Sequence, residues 1–355
     1  MIPRVSEQVS DASSLTPGPR SFPRRHPVVM GVLALVGAVL VGVALVVLTP
    51  LLDARITAEP DPATSYEQAM DKAGELLAAD GPQIGPRCRS RVHDQGERTD
   101  VAVVLLHGYT NCPQQFEAIA QAYVDAGYSV VVPRLPGHGY SDRLTRALSD
   151  IDPGQLVDVG DQAVDIAAGL GKDVAVVGLS GGGTVAGWLA ANRSEVSDAT
   201  LIAPLVVPKV LPEFAVAPVA RAFRFTPDVY LWWDNGLKDE LAEPPYAYPR
   251  YSLRSLGAFL AVGRDAQSGP PPDSLRRLVV VTNDNDAAVS NKGVEELADA
   301  ITGPQVERVE QEFPADLRYQ HDLVDPEGEN ADALADIYPV LGPLIGLPDI
   351  SAPGA

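Results

Sequence analysis

The sequence predicts an α/β fold, a mostly parallel sheet with helices on both faces, preceded by one transmembrane helix. Three observations predict it. From Asp100 onward, short runs rich in valine and leucine alternate with longer segments of helical periodicity. One of those runs, Val174-Ala175-Val176-Val177, passes directly into Gly178-Leu179-Ser180-Gly181-Gly182-Gly183, which sets a serine between glycines where a strand gives way to a helix. Ahead of both, the 21 residues Val28 to Leu48 carry no charge. At about 1.5 Å per residue they span roughly 30 Å, the thickness of a bilayer's hydrocarbon core.

Residues 1–27, rich in Ser, Pro and Arg, read as a disordered cytoplasmic tail, and 28–49 as the transmembrane helix. Arg4, Arg20, Arg24 and Arg25 precede the apolar run against Glu7 and Asp11, whereas Asp53, Arg55, Glu59 and Asp61 follow it. The positive-inside bias places the N-terminus in the cytoplasm and the larger domain outside. A cleaved secretory signal is the alternative, because Ile56-Thr57-Ala58 offers a processing site. The Arg24-Arg25 pair lacks the surroundings of a twin-arginine signal. Residues 50–97 form a proline-bearing linker, Ala58 to Ala63, and a helix whose Tyr66, Met70, Ala73, Leu76 and Leu77 recur at helical spacing through Asp80. That helix either packs on the next domain or forms a stalk.

The main domain is expected over 98–342, with strand Val101–Leu106, helix Gln114–Ala126, strand Ser129–Val132, helix Gln155–Leu170, strand Asp173–Val177, helix Gly182–Asn192 and strand Thr200–Ala203. The alternation breaks after Pro204. An insertion of about 205–276 carries many prolines and aromatics, Phe214, Trp232, Trp233, Tyr248 and Phe259 among them. Strand Leu278–Thr282, helix Val294–Ile301, strand Val306–Val309 and helix Ala331–Val340 resume the pattern, and 343–355 form a C-terminal tail.

Net charge is −20, divided as +2 for residues 1–52 and −22 for the rest. So acidic an outer domain disfavours nucleic acid and anionic membrane surfaces as partners. Its plainest reading is solubility. The two cysteines, Cys88 and Cys112, flank the first strand, and an oxidising exterior would let them close a disulfide over it. Two buried free thiols are the alternative, and zinc is disfavoured because no further ligands stand at suitable spacing.

A serine hydroxyl is a weak nucleophile unless the chain supplies a base, an orienting carboxylate and donors for an oxyanion. Gly178 and Gly182 are small enough for strand and helix to cross on either side of Ser180, and the backbone N–H of Gly181 is one oxyanion donor. His321 is the one histidine downstream of the serine, and Asp284 and Asp286 lie on the loop after Leu278-Val279-Val280-Val281. The order is Ser, Asp, His.

That order, the glycine-flanked serine, Leu106-His107-Gly108-Tyr109 after the first strand and Pro136-Gly137-His138-Gly139 after the second together resemble the α/β-hydrolase superfamily, in its carboxylesterase and monoacylglycerol-lipase-like branch. The resemblance covers about 98–342. It implies an α/β-hydrolase fold whose insertion caps the serine, with Ser180, Asp286 and His321 as the catalytic residues and Tyr109 supplying the second oxyanion donor. Asp286 is preferred over Asp284 because Val289 completes the family's Asp-x-x-Val pattern, and His107 is expected to order the oxyanion loop. Neither metal nor organic cofactor is implied.

The ordinary alternatives are a serine that merely caps a helix and a dinucleotide site suggested by Gly181-x-Gly183-x-x-Ala186. Against the second, the next strand ends at Ala203-Pro204-Leu205 with no acidic residue for a ribose. The expected activity is hydrolysis of acyl or lipid-like carboxylic esters outside the cytoplasm. An acyltransferase using the same residues with an alcohol or sugar acceptor, and a noncatalytic envelope protein, remain open. Oligomeric state is not legible.

Overall fold

The computed structural model describes residues 27–48, 55–57, 59–236, 244–270, 273–348 and 350. The tail over 1–26 and the last five residues lie outside them. Two compact units divide at Ala44 and Leu45. The first is dominated by α1 (Pro27–Leu48), whose Leu33, Leu35 and Leu40 are each more than 60% exposed. A helix apolar on every side, with none of Val28–Leu45 buried among the described residues, fits a membrane anchor or a signal sequence.

The second unit begins with α2 (Tyr66–Ala78), capped by Ser65, which accepts from the Gln68 N–H. After β1 (Arg91–His93) and β2 (Thr99–Leu106) come α3 (Glu117–Asp125), β3 (Ser129–Val132) and α4 (Pro153–Leu170). The helix α4 opens with a capping box between Asp152 and Gln155. Then follow β4 (Gly171–Leu179), α5 (Gly181–Asn192), β5 (Val196–Ile202) and α6 (Glu213–Phe225). The hairpin of β6 (Tyr230–Trp232) and β7 (Arg250–Ser252) leads to α7 (Leu253–Ala266). The chain closes with β8 (Arg277–Asn283), α8 (Asn291–Ile301), β9 (Glu307–Phe313) and α9 (Leu334–Leu344).

Seven strands form one sheet in the order β1-β3-β2-β4-β5-β8-β9, and every pairing is parallel except that of β1 with β3. Alternate residues of a strand serve opposite faces. Ala102, Val104 and Leu106 join the core made with α4, α5, α7 and α8, while Val103 and Leu105 join the core made with α3 and α9. Burial on both faces is why these strands read as unbroken apolar runs.

Several boundaries differ from the sequence reading. The sheet begins at Arg91 and not near 98, because β1 is a three-residue, half-buried edge strand too short to leave a pattern. A turn of 3₁₀ helix at Pro113–Phe116 precedes α3, where one continuous helix was expected. The helix α2 packs on α4 and is no stalk: a side chain at Gly169 would meet Ser65 O at 2.6 Å and Ala69 Cβ at 2.7 Å. The expected cap is not all roof either, since Phe259 and Val262 of α7 lie in the main core. Leu347 and Ile350 are buried, so the tail starts out packed.

The linker is fastened as well. The N–H groups of Glu59 and Asp61 donate to the Asp161 and Asp165 carboxylates at 3.2 and 3.0 Å. Those carboxylates in turn pair with the fully buried Arg193 guanidinium. Such a buried charge is tolerable because both acids, the Asp161 carbonyl and the Glu195 carboxylate accept from it.

Candidate active site

Ser180 sits between β4 and α5 with φ 53° and ψ −117°, a left-handed backbone that a residue with a Cβ seldom adopts. The glycines around it are demanded by contact. A Cβ at Gly178 would lie 2.3 Å from Gly182 O, and one at Gly182 would lie 2.0 Å from Leu106 O. The pairing of Leu106 with Gly178 thus brings the end of β2 against the turn. Donation from Ser180 N to Ile202 O at 2.9 Å holds the strained residue in place.

As the first residue of α5, Gly181 has no carbonyl in a preceding turn for its N–H to reach. A Cβ there would be 3.0 Å from Tyr109 N and 2.9 Å from Phe259 Cε1, so the backbone of 181 and that of 109 lie side by side. Among the described residues the Tyr109 N–H donates to no backbone acceptor. Gly181 and Tyr109 therefore present two neighbouring N–H groups beside Ser180.

The loop carrying Tyr109 is fixed from several directions. His107 is wholly buried; its Nε2 accepts from the Leu135 N–H at 3.0 Å, which leaves the proton on Nδ1 to donate to Gly108 O at 3.0 Å. Burial, reinforced by the neighbouring His138 and Arg134, holds the His107 imidazole well below the ordinary histidine range and so neutral. Burial likewise lowers His138 to about 4. The two bonds of His107 join the backbone at Gly108 to that at Leu135. The Tyr109 hydroxyl accepts from Ser252 N at 2.9 Å and lies 2.6 Å from Ser255 Oγ, fastening the loop to the start of α7.

His321 Nδ1 meets Asp286 Oδ2 at 2.6 Å. The other oxygen, Oδ1, accepts from the N–H groups of Ala288 and Val289 at 2.7 and 2.9 Å. Burial opposes charge on Asp286, but the hydrogen bond and charge of His321, with those two N–H groups, outweigh it and hold the carboxyl below its ordinary range. For His321, burial disfavours the imidazolium, yet the bond to Asp286 and the charges of Asp286, Asp322 and Glu329 outweigh it and raise the group. Asp284 is exposed and holds only a turn, its N–H donating to Phe313 O. The loop around the histidine is pinned by Asn283 Nδ2, which donates to the Tyr319 and Gln320 carbonyls, and by Asn330.

Ser180 and His321 are not hydrogen-bonded to each other; His321 Nε2 is buried and has no partner among the described residues. With Nδ1 committed to Asp286, that nitrogen is the ring's remaining base. The sequence-derived pairs Asp286–His321 and Gly181–Tyr109 are thus each brought together. Cys88 and Cys112 form a disulfide, with Cα atoms 5.2 Å apart, tying the Tyr109 loop to the 3₁₀ turn Pro86–Cys88.

Sequence reasoning missed the polar residues that support these loops. Gln115 Oε1 accepts from the Gly108 N–H at 2.6 Å while its Nε2 donates to Asp322 Oδ2 at 2.7 Å. Asn111 Nδ2 and the Tyr246 hydroxyl both donate to Asp325, at 3.1 and 2.5 Å. Except for Gly108 and Gln115, seven residues apart, the partners are separated by 79 to 214 residues along the chain, so no local pattern marks them.

Residues 103–337 match the model of the Alpha/beta hydrolase family. A thermostable monoacylglycerol lipase of Bacillus sp. (strain H-257) is 32% identical over 108 residues, which span 28% of this chain and 39% of that lipase. Among solved structures, one from work on the metagenome-derived lipolytic enzymes LipS and LipT has a TM-score of 0.53 at 19% identity, covering 72% of this chain and 99% of its own. The monoacylglycerol lipase of Paleococcus ferrophilus has a TM-score of 0.53 at 16% identity, covering 72% and 97%. At these identities the structural likeness speaks for the fold.

Proposed function

Because the chain belongs to the α/β hydrolase family, we propose that it hydrolyses carboxylic esters of acyl or lipid-like type through Ser180, His321 and Asp286. The observation that carries the reading is the imidazole of His321, clamped at Nδ1 by a buried carboxylate and left unpartnered at Nε2. Ser180 Oγ attacks the ester carbonyl carbon while its proton passes to His321 Nε2, and Asp286 stabilises the imidazolium. The carbonyl oxygen becomes an oxyanion accepted by the N–H groups of Gly181 and Tyr109. Collapse breaks the bond to the alcohol, which leaves with the proton from Nε2. Water then repeats the sequence on the acyl-enzyme, with His321 again the base, and the acid is released.

The apolar α1 tethers the domain to a membrane, with the arginine-bearing N-terminus in the cytoplasm and the disulfide-bearing domain outside. A relative named for monoacylglycerol cleavage supports a lipid-derived ester as substrate.

A fluorophosphonate probe tests the assignment. The intact protein is expected to be labelled, and Ser180→Ala to lose both labelling and activity toward a chromogenic short-chain ester, the latter by a factor on the order of 10⁶. Labelling retained by Ser180→Ala, or absent from the intact protein, would refute it. Adding alcohol acceptors to the ester assay shows whether water or an alcohol captures the acyl group.

A further inference from the structure

We propose that Gln115 and Asp322 form a positioning relay that locks the oxyanion loop in register with the histidine loop. The inference rests on the reading of Ser180, His321 and the paired N–H groups given above. Neither residue touches the reacting atoms in that scheme.

The geometry begins at Gly108. Its carbonyl is held by His107 Nδ1 at 3.0 Å and by Asn111 N at 3.1 Å. In a trans peptide the next N–H points opposite to that carbonyl, so these bonds turn the Tyr109 N–H away from them, on the side where it stands beside Gly181. Gly108 has no side chain to limit its own rotation. What limits it on the other side is the bond from its N–H to Gln115 Oε1 at 2.6 Å. A Cβ at position 108 would stand 3.3 Å from that oxygen and so would crowd the buried Gln115.

An amide has two ends that cannot be exchanged without losing a bond, and Gln115 needs its oxygen toward Gly108. Asp322 fixes that direction. Its Oδ1 accepts from the N–H groups of Val324 and Asp325, each at 3.0 Å, and its Oδ2 accepts from Gln115 Nε2. Burial and the nearby Asp325 push the Asp322 carboxyl up to about 6; above that pH it is ionised and only accepts, so Gln115 turns its NH₂ toward it. Asp322 is bonded in sequence to His321, so the same contact that orients the oxyanion loop also ties down the segment bearing the base. Asn111 and Asp325 repeat the amide-to-carboxylate pattern one step further along both loops. The relay thus fixes the spacing between the site's hydrogen-bond donors and its base.

A double-mutant cycle on the full chain in detergent tests this, with active sites counted by fluorophosphonate. Gln115→Leu is expected to lower kcat about 30-fold and Asp322→Asn about 10-fold, with KM within about twofold, because a misdirected oxyanion donor weakens the transition state. The affinity of a trifluoromethyl ketone, which forms a tetrahedral adduct, should fall by the same factors as kcat/KM. In a relay the double variant loses no more than about 30-fold, whereas independent effects would multiply to about 300-fold. Multiplying effects, a loss carried by KM, or unchanged ketone affinity would overturn the proposal. Should Gln115→Leu give no folded protein, Gln115→Asn takes its place, since its amide is one methylene too short to span both partners. An unlabelled intact protein would instead retract the reading of Ser180; a labelled one with multiplying effects would retract only the relay.

Discussion

His321 has its pKa raised although burial alone would lower it, because the Asp286 hydrogen bond and charge prevail. A general base must be neutral, and a raised pKa means that the ring stays protonated to higher pH. The acidic limb of kcat/KM is therefore expected to have its midpoint above the ordinary histidine value of 6.5. In Asp286→Asn only burial and the more distant charges remain, so the limb should move downward while kcat falls by about 10⁴. A pH–rate profile of both proteins checks this. At this scale the proposed nucleophile and base, Ser180 and His321, could be singled out in the sequence, because a serine set between a strand and a helix leaves glycines at fixed offsets and no other histidine lies downstream. The choice between Asp284 and Asp286 is now given a physical reason: Asp286 alone has backbone N–H groups to hold one oxygen while the other meets the ring. Gln115 and Asp322 could not be read, since their meeting depends on how two distant loops fold together.

Among the elements, the segment between Cys88 and Cys112 contains both β1 and β2, so its disulfide closes a loop across the edge of the sheet. Cys112 is fully buried and only three residues past Tyr109. Replacing both cysteines by serine is expected to cost about 3 kcal/mol, the loop-closure entropy of a ring this size. Denaturant unfolding would register it, and ester turnover should fall with it, as the tether of the Tyr109 loop is lost. Strands and helices long enough to show a period were visible in the sequence, and their ends shifted by a few residues. The short β1 was not, because three residues at an edge cannot establish an alternation. The double role of α7, whose cap Ser252 holds the Tyr109 hydroxyl while its Phe259 joins the main core, was hidden because an insertion looks the same in sequence whichever way its helices pack.

For the whole molecule, the linker marks where the folded domain starts. A chain beginning at residue 55 keeps the N–H groups of Glu59 and Asp61 on the Asp161 and Asp165 carboxylates; one beginning at 64 loses both. The shorter protein, which also lacks the buried Ala63 and its N–H bond to Asp165 O, is expected to be less stable by at least about 1.5–3 kcal/mol, the range for one hydrogen bond to a charged group, as read from urea midpoints. One feature of the elbow has a global cost too. A left-handed conformation with a Cβ attached stores about 1–3 kcal/mol, and glycine adopts φ 53° freely. Ser180→Gly should thus melt at a higher temperature than the native chain while being inert toward esters. The sturdiest version of this architecture would be one that has given up its reagent.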